Sequence, residues 1–294
     1  MGVIVPSLAL FCAHHRSLLD NGMVRKNDNG TCAWATTDAA RDTQTGTKMS
    51  LIEAGVCKDI GDFRIGAGVG HNQADQSWTK GGSAKFNGEH LVLEAAQQFA
   101  NGIEGSVLGY YGNFNTELNR HYLNSINVDS STAKPTATSI ALRARARAEW
   151  KDAVKQSNVS LSPYAAYTYT QTKLDGYTET GGGFPAQFDA ATFKSNDLRL
   201  GANLKTSINP ATDVKVGVEL AHRFEKNTTG VNGKVIGLYD FSLAGEKVKQ
   251  DWARLLVDVD YRITDDAVLT AGANVATKGG DASWGVTAGL RIRF

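Results

Sequence analysis

The amino-acid sequence predicts an all-β fold, a transmembrane antiparallel β-barrel of about 12 strands with an N-terminal α-helix in its lumen. Three observations predict it: segments of alternating apolar and polar residues recur, the connections between them alternate between short and long, and the chain ends inside such a segment. We divide the chain into residues 1–29, the lumen helix and a linker, and residues 30–294, the barrel.

The clearest alternating segment is SIALRARARAEW, residues 139–150. Successive side chains of a strand point to opposite faces, so its apolar face ends at Trp150. The other face carries Arg143, Arg145, Arg147 and Glu149, which we predict to face the lumen. Trp150 fits an aromatic girdle at a lipid–water boundary. The arginines form either an electropositive strip that contacts the helix or a passing polypeptide, or a hydrated wall of ion pairs, which is the default.

The same alternation assigns further charged residues to a polar lumen. The predicted lumen-facing set continues with Arg199, Lys205, Lys215, Glu219, Arg223, Arg254, Asp258, Asp260, Glu53 and Glu94. The opposite faces of these segments are apolar, which suits contact with hydrocarbon.

Connection lengths determine the predicted architecture. We place strands near residues 31–42, 47–58, 62–72, 89–100, 104–115, 138–151, 159–172, 196–207, 212–225, 251–263, 267–277 and 283–294. Short turns on one side and long loops on the other are typical of outer-membrane barrels. An even number of strands puts the start of the first strand and Phe294 on the short-turn side. Pairing the first strand with the last leaves no exposed edge.

Composition supports a barrel and excludes several classes. The chain has 31 basic and 30 acidic residues, so no overall charge indicates a nucleic-acid partner. Hydrophobic residues make up 41%, which suits a protein whose interior is polar. No apolar run approaches about 18 residues, which excludes a transmembrane helix. Residues 3–12 lack a basic leader and a cleavage site, so we interpret Met1 as a fragment boundary.

The first 29 residues differ in kind from the rest. Leu8, Phe11, Leu18 and Leu19 recur at roughly helical spacing. The other faces of this helix carry His14, His15 and Arg16. We predict that the helix plugs the lumen against the acidic wall residues. The alternatives are a helix on the periplasmic or membrane surface and a disordered leader.

No motif for catalysis or metal binding emerges. Adjacent His14 and His15 point about 100° apart on a helix and chelate poorly. Neither G-x-S-x-G nor H-E-x-x-H occurs, so we expect no enzyme activity, metal or cofactor. Folding the first hairpin brings Cys32 opposite Cys57, which makes a disulfide plausible, with two buried thiols as the alternative. Cys12 is left over.

Three segments carry a family resemblance: the terminal WGVTAGLRIRF, the middle block SPYAAYTYTQTKLDGYTETGGGFPAQFD, and DWARLLVDVDYRITDDAVLTAGANVATKGGDAS. With the leading helix, residues from about 5 to 294 resemble the translocator (β) domain of autotransporters, the type V secretion proteins of Gram-negative bacteria. The resemblance implies a monomeric outer-membrane barrel that exports a passenger fused in cis to the cell surface. Its implied partners are outer-membrane lipids and the barrel-assembly machinery.

The resemblance also implies that the assembly machinery reads the last strand by strand addition. The implied signal consists of Trp284, Val286, Ala288, Leu290, Ile292 and Phe294. Two other functions remain open at this point: a small outer-membrane pore or adhesin barrel, and a barrel enzyme such as a lipid-modifying hydrolase.

Overall fold

The computed structural model describes residues 30–78, 81–99, 102–151 and 158–294. The predicted lumen helix lies outside the described residues, and with it Leu8, Phe11, His14, His15 and Arg16. Cys12 also falls outside them. Within the described ranges, no helix is both long enough and apolar enough to cross a membrane.

The described residues form short and long β-strands. Their bounds are β1 Thr31–Asp42, β2 Thr47–Ile60, β3 Phe63–Ser77, β4 Gly82–Gln98, β5 Ile103–Asn124, β6 Asn127–Ala133, β7 Thr136–Ala148, β8 Val159–Leu174, β9 Tyr177–Thr178, β10 Ala186–Phe188, β11 Ala191–Asn209, β12 Thr212–Arg223, β13 Val231–Val235, β14 Tyr239–Leu243, β15 Asp251–Arg262, β16 Ala267–Ala276 and β17 Trp284–Arg293. The structure confirms the predicted all-β class.

Twelve of these strands close into an antiparallel barrel, as predicted. Their order around the wall is β1, β2, β3, β4, β5, β7, β8, β11, β12, β15, β16 and β17. The seam between β17 and β1 runs from Cys32 opposite Arg293 to Arg41 opposite Trp284. Beyond it, the Phe294 amide donates to the Thr31 carbonyl at 2.8 Å. Closure therefore leaves the first and last strands paired on both sides.

The wall has an apolar outer band and a polar interior. Outward side chains such as Ile52, Val69, Leu200 and Leu220 are 65%, 62%, 54% and 66% exposed. The residues that alternate with them point inward and are mostly buried, and many are charged. The alternation fixes both faces at once, because a one-residue slip would exchange them.

At the rim with the long connections, the polarity of the wall inverts. Residues 73–88 were predicted as a loop, but β3 continues to Ser77 and β4 begins at Gly82. There the outward positions are polar, whereas inward Ala74, Ala84 and Phe86 join a buried apolar cluster. The loop prediction was wrong because it required apolar residues on the outer face. Where the strands extend beyond the membrane into water, the outward residues are polar and the inward residues are apolar.

A second sheet stands on the same rim, in the order β14, β13, β10 and β9. Its ring contacts join Phe188 to Tyr177 and to Phe241, with centroid distances of 4.8 and 5.4 Å. We call it the rim sheet. Arg120 of β5 holds the rim sheet against the barrel wall. Its Nε donates at 2.8 Å to Oε1 of Glu179, which directly follows β9. Two of the predicted long connections, between β8 and β11 and between β12 and β15, therefore contain the short strands of the rim sheet.

Candidate functional site: the charged bore

The arginine strip of β7 lies on the inner wall, and its members have different partners. Arg143 and Arg145 are buried. An Nη2 of Arg143 lies 3.7 Å from Glu94 Oε1 of β4, and Arg147 Nη2 lies 3.2 Å from Glu104. The Arg145 guanidinium stands 5.7 Å from the ring centroid of Tyr164. The strip is thus embedded in acidic and aromatic neighbours.

Arg199 of β11 is the centre of the largest buried ionic cluster described. Its side chain is only 2% exposed. Nη1 donates to Glu219 Oε1 at 2.6 Å and to Asp281 Oδ2 at 2.9 Å, and Nη2 donates to Asp281 Oδ1 at 2.7 Å. Trp252 donates from Nε1 to the same Asp281 carboxylate at 2.9 Å. Because Asp281 belongs to the β16–β17 connection, this cluster ties that connection to the barrel wall.

The strip and the Arg199 cluster meet around one cavity of about 60 Å³. Tyr164 joins them, since its hydroxyl donates to Glu219 Oε2 at 2.7 Å. The cavity is lined by Arg143, Arg145, Tyr164, Ala166, Arg199, Asn203, Lys215, Glu219, Arg254, Leu256 and Asp258. The geometry therefore brings seven of the predicted bore residues to one place.

A separate polar cluster occupies the wall formed by β1 to β5. Glu53 accepts hydrogen bonds from Trp34 Nε1 at 3.2 Å and makes a 2.9 Å contact with His90 Nε2. On the other side of the imidazole, Asn72 Nδ2 lies 3.0 Å from His90 Nδ1 and donates to the Tyr110 hydroxyl at 3.1 Å. Glu53 was predicted to face the lumen but its partners were not predicted, because a lone histidine or asparagine in an alternating strand carries no distinctive spacing.

The ionic groups at the short-turn rim were also missed as a set. The Asp59 carboxylate accepts hydrogen bonds from Arg64 Nε at 2.6 Å and from Arg293 Nη2 at 3.3 Å. Arg291 Nη2 donates to Asp260 at 3.2 Å. The alternation of β17 puts Arg291 and Arg293 on the face opposite the apolar one, so their inward position could have been predicted from the sequence.

The remaining predicted residues pair locally along the wall. Lys215 Nζ lies 2.9 Å from Asp258, and Lys205 Nζ lies 3.0 Å from Asp213. Arg254 reaches Glu219 at 4.0 Å. Arg223 Nε donates to Ser195 Oγ at 3.0 Å.

Glu149 differs from its prediction. β7 ends at Ala148, and Glu149 is exposed in the turn that follows, where its amide donates to the Gly102 carbonyl at 3.4 Å. The alternation that placed it inside stops with the strand.

The terminal strand presents its apolar residues outward. Trp284, Val286 and Leu290 are 43%, 47% and 37% exposed, and Phe294 is the most exposed of the set at 76%. Ala288 and Ile292 lie on the same face by parity. At the start of β1, Cys32 lies directly opposite Cys57 with a Cα–Cα distance of 4.9 Å, and the two sulfur atoms are within bonding distance.

Known proteins share this sequence pattern and this barrel. The family model for the autotransporter beta-domain matches residues 29–274. The translocator domain of the autotransporter NalP from Neisseria meningitidis superposes with a TM-score of 0.71 at 14% identity, covering 92% of this chain and 90% of that one. The β-domain of the Bordetella autotransporter BrkA gives 0.65 at 15% identity, covering 91% and 100%.

A barrel of another kind is also similar. The toluene transporter TodX from Pseudomonas putida gives a TM-score of 0.54 at 10% identity, covering 90% of this chain and 88% of that one. At these identities the structural likeness shows the fold. No curated protein matches the sequence.

Proposed function

This chain belongs to the autotransporter β-domain family, and we propose that its charged bore is the passage by which the fused passenger leaves the cell. The chain is a translocator domain of the Gram-negative outer membrane, and the family exports a passenger carried on the same polypeptide. Outer-membrane barrels keep their short turns in the periplasm, so the rim sheet stands on the extracellular side.

The position where the chain enters β1 carries this proposal. The Gly30 carbonyl accepts a hydrogen bond from the Asp59 amide at 2.8 Å, on the periplasmic rim beside the buried Asp59–Arg293 pair. Polypeptide on the N-terminal side of residue 30 therefore starts at the inner mouth of the bore. Because the wall has no open seam, the direct route from there to the cell surface is through the bore.

We further propose that residues 1–29 form a helix inside the bore. A helix rises about 1.5 Å per residue, so about 20 residues span roughly 30 Å, the thickness of the hydrocarbon core. The basic His14, His15 and Arg16 complement the acidic Glu53 and Glu94 of the wall. The arginine strip then serves as an ion-paired wall around this segment.

A photo-crosslinking experiment tests the passage. The passenger carries a folded, disulfide-closed domain that stalls its export partway. The barrel carries a benzophenone amino acid in place of Arg145 in the bore. The matched control carries it at Leu142, three residues earlier on β7, which is 54% exposed on the outer face. We expect passenger adducts at position 145 and none at 142. A stalled passenger that crosslinks at neither position would overturn the proposal.

The partners follow from the outer face. We propose that outer-membrane lipids cover the apolar band, that the assembly machinery binds the outward residues of β17, and that the closed barrel is a monomer without catalytic activity. Phe294→Ala should slow insertion in a reconstituted assembly assay, with Ile263→Ala as the control, since Ile263 is an exposed apolar residue, at 55%, that follows β15 as Phe294 follows β17. Equal insertion rates for the two variants would refute the role of Phe294.

A further inference from the structure

The outer face of β3, β4, β5 and β7 carries a polar groove just above the apolar band. Its volume is about 880 Å³, which is in the range of small-molecule sites. Gly88 of β4 lies opposite Phe114 at the base of the groove, and a side chain there would collide with the Asn113 carbonyl. None of the functions assigned above uses this surface.

Cross-strand pairing arranges the groove in successive rows. The lowest row is apolar and runs Val69, Leu91, Tyr111 and Ile140, each at least 40% exposed. The next row runs His71, Glu89 and Asn113. Above it lies the row that we call the amide ladder, in which Gln73 pairs with Asn87, Asn87 with Asn115, and Asn115 with Thr136.

Acidic and basic side chains are interspersed around the amide ladder. In the outermost row Lys85 lies between Asp75 and Glu117, and Glu117 also pairs with Lys134 at 2.9 Å. The ladder itself is uncharged and exposed. Its amides can both donate and accept hydrogen bonds, which is what sugar hydroxyl groups require. The chemistry therefore favours sugar hydroxyl groups as what the ladder binds, and the mixed charges around it do not form the basic surface that a nucleic acid or an acidic peptide requires.

The position of the groove identifies the source of that ligand. Amide ladder and apolar row are four residues apart along each strand, or about 13 Å at a rise of roughly 3.3 Å per residue. A lipid whose acyl chains lie against Leu91 and Tyr111 places its headgroup at the height of the ladder. We propose that this groove binds the sugar headgroup of a glycolipid in the outer leaflet, as a site continuous with the lipid-facing band.

A binding experiment on the full chain, refolded into phospholipid nanodiscs, tests the site. The probes are purified lipopolysaccharide and its deacylated core oligosaccharide, and native mass spectrometry counts the molecules bound. The test variant is the triple substitution Gln73→Ala, Asn87→Ala and Asn115→Ala. The control is Lys173→Ala with Lys194→Ala, two outward polar residues on β8 and β11 outside the groove. Heat-dependent migration in gels verifies that each variant is folded.

We expect the unaltered chain and the control to retain lipopolysaccharide and the triple variant to bind it at least tenfold more weakly. Retention by the triple variant equal to that of the unaltered chain would overturn the site. The unaltered chain also decides the source without any variant: if the free core oligosaccharide binds as tightly as lipopolysaccharide, or if neither binds, the glycolipid assignment is wrong. Passenger export is not the readout, so this test is independent of the proposed passage.

Discussion

Replacing Arg199 with leucine tests whether the ionic cluster of the bore stabilises the barrel. The substitution preserves much of the side-chain volume but leaves Glu219 and Asp281 without their shared guanidinium. Breaking a buried ion pair by removing one partner costs about 3 to 5 kcal/mol. Loss of the contact between Arg199 and the Trp252 ring, 5.4 Å from its centroid, adds about 1 kcal/mol. We therefore expect the free energy of unfolding to fall by about 4 kcal/mol or more.

The matched control is Arg262→Leu. The Arg262 side chain is 39% exposed and its Nη2 lies 2.7 Å from Asp213, so solvent screens the pair. We expect a loss below about 1 kcal/mol for this variant. Guanidinium unfolding of the refolded barrel, followed by tryptophan fluorescence, measures both variants under the same conditions.

The double variant Arg199→Leu with Asp281→Asn separates electrostatics from packing. Removing one of the carboxylates that lose the guanidinium should restore part of the lost stability, because the penalty comes from buried negative charge that has lost its counter-charge. If Arg199→Leu destabilises no more than Arg262→Leu, or if the second substitution only adds to the loss, the cluster does not act as argued.

Three further outcomes are expected. Cys32→Ser should lower the free energy of unfolding by about 3 kcal/mol, since the bond to Cys57 closes a loop with a separation of 25 residues; alkylation of both thiols in the unreduced protein would contradict this. Arg120→Ala should expose the β8–β11 connection to chymotrypsin, which cleaves after aromatic residues such as Tyr177 and Phe188, by removing the partner of Glu179, whereas the exposed Lys134→Ala should not, and equal cleavage of the two would refute the clamp. Hydrogen bonds from the Asn124 amide and the Gly183 and Ser130 backbone lower the pKa of Asp129 below its usual 3.8, so its hold on the connection is complete above that value and is lost as pH falls through the lowered pKa. Pepsin cleavage between about pH 5 and pH 2 should therefore rise steeply only at the acidic end, and an identical profile for Asp129→Asn would exclude this role.

The alternation of inward and outward side chains along each strand was the part of the fold that could be predicted from the sequence. Arg199 and Glu219 occupy inward positions of their strands, and no knowledge of their partners was needed to place them there. The extension of β3 and β4 was not predicted, because Asn87 and Lys85 are polar where an outward residue of the membrane band is apolar. The position of Asp281 was not predictable either. It belongs to an irregular connection, and its place beside Arg199 depends on contacts between residues 82 positions apart.

The seam between β1 and β17 has a consequence for biogenesis. Cys32 of β1 pairs in register with Arg293 of β17, so the two strands that complete the wall are separated in sequence by all the other strands of the barrel. Contacts between such distant segments form slowly, because the conformational entropy of a long stretch of chain is lost before the contacts contribute any stabilising free energy. A nascent chain that is truncated before Trp284 leaves both β1 and β16 with a bare edge, open to aggregation or degradation. Only a chain translated through β17 can complete the ring, so ring closure reports that the whole barrel has been synthesised.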